Sequence, residues 1–468
     1  MSHVHLVGIG GAGLSAIARV LLERGVTVTG SDRTLSALAQ AVREAGARVY
    51  IGHDAENIRG ADTIVRSSAI PDENVEIQAA FLLGIPVLKR AEFMPYLLRD
   101  KRCVAIAGTH GKTTTTAMIA WLLVALGQDP SFIVGGNVAN LGRNARAGKG
   151  TIFVIEADEY DRMFLGLEPS IAVVTNVEHD HPDCFPTEAD FRQAFLEFSR
   201  KVQPGGVLLT CRDDQGARWL HAQMIAAGRG PLSYGLNHWL GHPGPDYYSR
   251  GLQINPAGGY DFEFLSRSAS EQGSGQAYKV SLQVPGHHNV LNATAALAVA
   301  ATLRLPLDQA ARALGDFRGA ARRFEVKGQT RQITVIDDYA HHPTEIRATL
   351  AAARARYPGQ EIWAVWQPYT YSRTRALYAE FLQAFEDADH VVVLDVYAAR
   401  EAPPANGLSS REIAREIQHR SAYYRPGLLQ SPDWLIKQLK PGAVLLVLSA
   451  GDADQLSRSV LAGLKEQV

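Results

Sequence analysis

Three groups of residues in this chain have the types and spacing to handle phosphate, metal and acyl chemistry. The first is Gly108-Thr-His-Gly-Lys-Thr-Thr114, preceded by the apolar run Cys103–Ala107 and followed by a long amphipathic pattern. A glycine turn between a strand and a helix start leaves backbone N–H groups free, and the helix dipole adds positive potential. Gly108, Thr109, His110, Gly111 and Thr114 therefore read as an anion cradle. Lys112 adds a mobile cation, and the Thr113 hydroxyl can reach a phosphate-bound Mg²⁺. A common phosphate loop has four residues between its glycines, whereas Gly108 and Gly111 enclose two. With strand, Gly-Lys-Thr and helix together, a nucleoside triphosphate fits this stretch better than a tight turn with a surface lysine does.

The second group lies at two strand ends. Thr151-Ile-Phe-Val-Ile-Glu156 runs into Asp158, Glu159 and Asp161, and a carboxylate such as Glu156 at the carboxyl end of a parallel strand can hold Mg²⁺ beside a phosphate loop. Ser170–Asn176 runs likewise into Glu178, His179, Asp180, His181 and Asp183. A solvated acidic loop is the bland alternative, but two such strand ends beside a phosphate loop favour a metal-handling cluster. The third group is Val4-His-Leu-Val-Gly-Ile-Gly-Gly-Ala-Gly13, followed by a helical pattern over Leu14–Glu23 and a strand over Val26–Asp32. Here the glycines admit a pyrophosphate to the helix N-terminus and Asp32 can bind a hydroxyl pair. NAD, FAD and UDP-sugars all satisfy that pattern.

These groups need elements to position them. Continuous apolar runs separated by helical patterns recur along the chain, which predicts buried parallel sheets. The fold class is α/β with three domains. Residues 1–99 form a Rossmann-like domain, 100–321 a phosphate-loop ATPase-type domain and 322–468 a second Rossmann-like domain. In the middle domain an alanine-rich helix begins at Pro285–Asn289, with Asn289 and Asn292 on one face of its first turn. Helix capping and purine hydrogen bonding both suit Asn289. The polar segment Ser266–Gly275 reads as an exposed hairpin tip. In the last domain polar clusters follow the apolar runs, at Asp338–Pro343, Gln367–Arg373, Tyr397–Glu401 and Ala450–Asp452, where open α/β sheets bind ligands.

Composition narrows the classes. A net charge of −1 over 468 residues leaves no basic footprint for nucleic acid. No apolar run reaches the roughly 18 residues that cross a bilayer, and no signal peptide is evident. The three cysteines, Cys103, Cys184 and Cys211, form no metal or redox spacing. A cytoplasmic enzyme of small-molecule substrates is expected, as a monomer or a homodimer.

Together Gly8–Ser15, Gly108–Thr114, Glu156–Asp161, His288–Asn292, Arg322-Arg-Phe324 and Asp338–Pro343 resemble the Mur ligases, across all three domains and in the same order. The resemblance implies an ATP-dependent, ADP-forming amide ligase of peptidoglycan precursor synthesis, and within it the reaction of L-alanine with UDP-N-acetylmuramate. It implies that Gly10, Gly11, Gly13 and Ser15 cradle the diphosphate of the UDP-sugar, with Asp32 near its nucleoside. Lys112 would bind the β- and γ-phosphates, Thr113 and Glu156 a first Mg²⁺, and His181 a second. Asn289 and Asn292 would contact adenine, Arg323 the ATP and Asp338 the ribose region. Tyr339, His341 and Arg373 would stand where the amino acid meets the acyl group, so that Lys112, His181, Arg323, His341 and Arg373 carry the catalysis. Two departures stand out. Tyr369 occupies a position where the family usually has His, and Leu196 one where some members have a carbamoylated lysine, the nearest lysine being Lys201.

Three rival readings compete. A nicotinamide dehydrogenase leaves the phosphate loop idle, and a non-catalytic nucleotide switch leaves the last domain's polar clusters idle. A ligase that attaches a preformed peptide to the same UDP-sugar shares several motifs. The Gly-Ile-Gly-Gly-x-Gly-x-Ser start and Tyr397–Glu401 favour alanine.

Overall fold

The computed structural model describes residues 2–236, 244–267, 276–399, 401–403 and 407–466. Most of the polar segment Ser266–Gly275 lies outside the described residues, as does Arg400 of the Tyr397–Glu401 cluster. Three sheets organise the rest. The first has the spatial order Arg48–Ile51, Thr27–Asp32, His3–Val7, Thr63–Arg66, Val87–Lys89, all parallel. Its strand order reverses at His3–Val7, the position at which such sheets open a ligand crevice. The helix Ala12–Glu23 starts there, with Leu14, Ile17, Val20 and Leu21 buried at helical spacing.

The middle sheet centres on Arg102–Ala107, which pairs in parallel with Ile171–Val174 on one side and Ile152–Glu156 on the other. Both acid-ending strands therefore flank the phosphate-loop strand directly, and their polar ends converge on it. Beyond them the sheet turns antiparallel through Tyr247–Ile254, Tyr260–Ser266 and Tyr278–Leu282. Helices Lys112–Ala125 and His287–Thr302 pack together over one face, the second contributing alanines that let the backbones approach.

The third sheet runs Glu325–Thr330, Ile333–Asp338, Val444–Leu448, Ile362–Trp366, His390–Val393, Ala422–Tyr424, parallel except for its first, edge strand. The fully buried strands Ile362–Trp366 and Val444–Leu448 are the continuous apolar runs of the sequence. The edge strands Glu325–Thr330 and Ala422–Tyr424 gave no such run, because they are only partly buried. Leu196 sits on the helix Glu188–Arg200 and is buried in the core with Phe164, Phe195 and Phe198. Lys201 is exposed at that helix's C-terminus. Among the described residues, no helix is long and apolar enough to cross a membrane.

Candidate active site

The phosphate loop is held from outside as much as by its own turn. Gly108 has φ +137°, and a Cβ there would stand 1.9 Å from the Thr175 hydroxyl oxygen, so no other residue fits. Asn176 accepts from the His110 N–H at 2.7 Å and donates to its carbonyl at 3.1 Å, and the Thr109 hydroxyl donates to the Glu178 carbonyl at 2.7 Å. Gly111, with φ +80°, precedes the helix Lys112–Ala125, whose first-turn N–H groups open towards a cavity of about 670 Å³. Lys112 folds back there, donating to Gly108 O at 2.5 Å, Thr109 O at 3.1 Å and Glu159 at 2.9 Å. Burial works against its ammonium, but Glu159 and Asp158 outweigh burial and hold the pKa above the ordinary lysine value.

Glu156 and Thr113 meet at the same wall. Glu156 accepts from the Gly135 N–H at 2.5 Å. A methyl on Gly135 would stand 2.8 and 2.9 Å from the Glu156 oxygens and 3.0 Å from the Thr113 hydroxyl. Glycine leaves a small space that three oxygens surround, a donor set suited to a hard divalent cation. Burial raises the Glu156 pKa over the opposing effects of the Gly135 N–H, Lys112 and Arg323, so the carboxylate lacks a full counter-charge. His181, with φ +55°, brings Nε2 to 3.4 Å from Glu159 Oε1, which puts an oxygen donor beside the nitrogen. Burial opposes the His181 imidazolium, yet Asp180 and Glu159 raise its pKa on balance.

The C-terminal sheet closes the cavity from the far side. Arg373 donates to both oxygens of Asp180, at 2.8 and 3.1 Å, with each side chain 5% exposed or less. This bidentate pair spans the middle and C-terminal sheets and holds Asp180 well below the usual carboxylate range, against the effect of burial. Arg323 reaches Thr113 Oγ1 at 3.4 Å and lies over the Tyr339 ring at 5.0 Å. His341 turns Nδ1 to the Tyr339 carbonyl at 2.9 Å, and burial lowers its pKa to about 4. Both Nδ1 contacts, Tyr339 O and Glu345, only accept, so the neutral ring carries its proton there and leaves the Nε2 lone pair free. Tyr369 stacks on Tyr397 at 5.8 Å and makes an edge contact with His341 at 5.7 Å, forming an aromatic wall.

A second cavity, of about 250 Å³, shares Gly111, Arg323 and Glu345 with the first and is lined by His110, Thr114, Asn289, Asn292 and Asp338. Asn292 accepts from the Thr115 hydroxyl at 3.0 Å and donates to Asn289 at 3.1 Å, while Asn289 donates to the Pro285 carbonyl at 2.6 Å. Asn289 therefore lines the pocket without capping the helix, whose N-cap is Gly286 with no side-chain bond to the free N–H groups. Asp338 accepts from the Phe324 and Ala340 N–H groups, both at 2.7 Å, yet burial raises its pKa to about 6.

At the first sheet, Gly10 N–H donates to Asp32 at 2.9 Å, so the acid organises the glycine turn. Gly13 lines the large cavity, whereas Gly10, Gly11, Ser15 and Asp32 are not part of its wall, and the Ser15 hydroxyl turns to Ala12 O at 3.1 Å. Arg90, which no motif marked, lies against Gly13, where a Cβ would stand 2.5 Å from its Nη1, and donates to Asp158 at 3.1 Å. Asp180, Glu159 and Asn176 were visible in the polar strand ends, but their partners Arg373, Lys112 and the loop backbone are remote or conformational, so motif spacing did not single them out.

The chain is similar to known proteins along nearly its whole length. Residues 3–102 match the model of the Mur ligase family, catalytic domain, 106–300 the Mur ligase middle domain, and 322–451 the Mur ligase, glutamate ligase domain. The chain is 43% identical over 477 residues to the UDP-N-acetylmuramate–L-alanine ligase of Chloroflexus aggregans, covering 99% of each. It is 42% identical to the enzyme of that name from Sorangium cellulosum, over 99% of this chain and 96% of the relative. The crystal structure of the UDP-N-acetylmuramate–alanine ligase of Thermotoga maritima matches with a TM-score of 0.80 at 29% identity, covering 100% of both chains. This chain belongs to the Mur ligase family.

Proposed function

We propose that this chain is an ADP-forming ligase that joins L-alanine to UDP-N-acetylmuramate, with ATP, in peptidoglycan precursor synthesis. One observation carries the reading: groups from all three sheets face a single cavity, among them Gly13 and Arg90, then Lys112, Thr113 and Glu156, then Arg323, His341 and Arg373. A reaction of three substrates needs such a meeting point. In this reading residues 1–99 hold the UDP-sugar through the turn at Gly10, Gly11, Gly13 and Ser15, with Asp32 and Arg90 beside it. Residues 100–321 hold ATP, with adenine near Asn289 and Asn292 and ribose near Asp338, and residues 322–468 bring the amino acid to Tyr339, His341 and Arg373.

A carboxylate is a poor electrophile, so it must first be activated. The sugar's carboxylate oxygen bonds to the γ-phosphorus of ATP as the bond to the β,γ-bridging oxygen breaks, giving an acyl phosphate and ADP. The amine of alanine then attacks the acyl carbon, phosphate leaves and the amine loses a proton. Lys112 would leave Glu159 for the phosphates, and Arg323 would add a second cation where charge develops. Magnesium held by Thr113 and Glu156, with a second ion near His181, would neutralise the repulsion between triphosphate and carboxylate. His341 would take the amine's proton on Nε2. Holding the three reactants together supplies up to about 7–11 kcal/mol of the barrier reduction.

The test is phosphate release with UDP-N-acetylmuramate and each amino acid or peptide in turn, with the nucleotide product identified. L-alanine should drive release of ADP and phosphate. AMP and pyrophosphate as products would rule out the mechanism, and turnover with a tripeptide but not with alanine would reassign the chain to peptide attachment.

A further inference from the structure

At the edge of the nucleotide pocket, three side chains to which the ligase mechanism gives no chemical step converge from separate elements. His110 comes from the phosphate loop, Glu178 from the segment after Ile171–Val174, and His342 from the start of the helix Pro343–Arg356. Their ligand atoms all lie within 4.8 Å of one another. His110 Nε2 and Glu178 Oε2 are 2.9 Å apart, close to the edge of about 3.3 Å that bonds of about 2.0 Å make in a tetrahedron. His342 is 2% exposed, and its Nε2 has no hydrogen-bond partner. A buried ring nitrogen without a partner, on a ring that brings a ligand atom within 4.8 Å of two other donors, is an unmet need.

We propose that His110, Glu178 and His342 form a binding site for one borderline divalent cation such as Zn²⁺, distinct from the magnesium positions. Two imidazoles and one carboxylate are the donor set that zinc takes with a water as fourth ligand, whereas Mg²⁺ prefers oxygens alone. The supporting contacts of a metal site are already present. His110 Nδ1 is 3.1 Å from Glu345 Oε1, which fixes the ring with Nε2 outward, and the Thr344 hydroxyl donates to the other Glu178 oxygen at 2.8 Å. The cavity of about 250 Å³ gives access, since His110 and Glu178 line it.

Binding exchanges protons for metal. His110 is faced by Glu178, Glu345 and, at 4.7 Å between ring centres, His342. Its Nε2 faces Glu178 and its Nδ1 faces Glu345, so the ion takes the place of the proton on Nε2 while the one on Nδ1 stays with Glu345. His342 moves its ring proton to Nδ1 and gives up the 3.3 Å bond it accepts from Thr344 N–H. Because His110 and Glu178 belong to the middle unit and His342 to the C-terminal one, the ion staples the two together across the nucleotide pocket. Inhibition follows if the units must part during turnover, a consequence that rests on the ligase reading, whereas binding itself does not.

The experiment uses the full chain, freed of metal and without nucleotide, titrated with Co²⁺ as a spectroscopic probe and with Zn²⁺ by calorimetry. One equivalent of Co²⁺ should give the intense visible absorption of tetrahedral coordination, and Zn²⁺ should displace it. Glu178→Gln and His342→Gln should each weaken binding by about 100-fold or more, while His181→Gln retains it. ADP affinity and circular dichroism check that the variants are folded. Loss of the band in His181→Gln but not in the other two would move the ion to the magnesium position and overturn the proposal, as would absence of a tetrahedral band in the unaltered protein. In phosphate-release assays with excess Mg²⁺, Zn²⁺ should slow the unaltered enzyme but leave Glu178→Gln at its own rate. Equal slowing of both would overturn the stapling consequence.

Discussion

At the scale of single residues, Lys112 has two partners in prospect and only one at a time. Without nucleotide it pairs with Glu159, which is 1% exposed. Removing the lysine therefore removes a phosphate ligand and leaves the buried Glu159 with His181 as its remaining charged partner, a loss below the roughly 3–5 kcal/mol of a buried pair broken on one side. Lys112→Ala should lower turnover by about 10²–10³-fold or more and lower the melting temperature. Adding Glu159→Gln should restore much of the melting temperature and none of the turnover. Recovery of turnover in the double variant would show that Lys112 acts only by neutralising Glu159.

At the scale of elements, two positions turn on what a strand or helix presents. Gly135 lies in the strand Ser131–Val138, and the space it leaves is bounded by Glu156 and Thr113. Gly135→Ala should leave the fold intact, because its φ is not in the left-handed region, but crowd any ion held there. The expected outcome is an increased Mg²⁺ requirement and at least about tenfold lower turnover, read from activity against Mg²⁺ concentration. On the helix Glu188–Arg200, Leu196 packs into the apolar core, and Lys201 is exposed beyond the last turn. No carbamate can reach the cavity from Leu196. Stripping bicarbonate, or substituting Lys201→Ala, should leave activity unchanged, and a loss reversed by bicarbonate would mean that a lysine elsewhere is modified.

At the scale of the whole molecule, the middle and C-terminal units are joined through charged pairs. Arg373 with Asp180 is one, and His110 with Glu345 is another. The raised pKa of His110, about 9 against an ordinary 6.5, sets the sign of a pH effect. Its contribution is fully present below pH 6.5 and is lost as pH rises through 9, since only the imidazolium bonds both carboxylates. Hydrogen bonds to charged groups suggest a loss of roughly 1–3 kcal/mol over that window. Thermal melts from pH 6.5 to 10 should show this decline, and Glu345→Gln should flatten it. Equal declines in both proteins would assign the effect to other groups.

Local pattern alone determined the element types, the α/β class and the position of the phosphate loop. Strand-turn-helix stretches with glycines at fixed offsets, and continuous apolar runs of five or six residues, specify their own conformation through sterics and burial. The carboxylates at strand ends were legible for the same reason, because the end of a buried strand is where a parallel sheet opens. Edge strands such as Ala422–Tyr424 were not legible, since half their surface meets water and carries no constraint. What only the tertiary structure decided was pairing: Arg373 with Asp180, Arg90 with Gly13 and Asp158, and His110 with Glu178 and Glu345. These partners lie 68 to 235 positions apart. An ion pair depends on distance through space, which sequence separation does not encode, so their roles emerged only when three sheets brought their edges to one cavity.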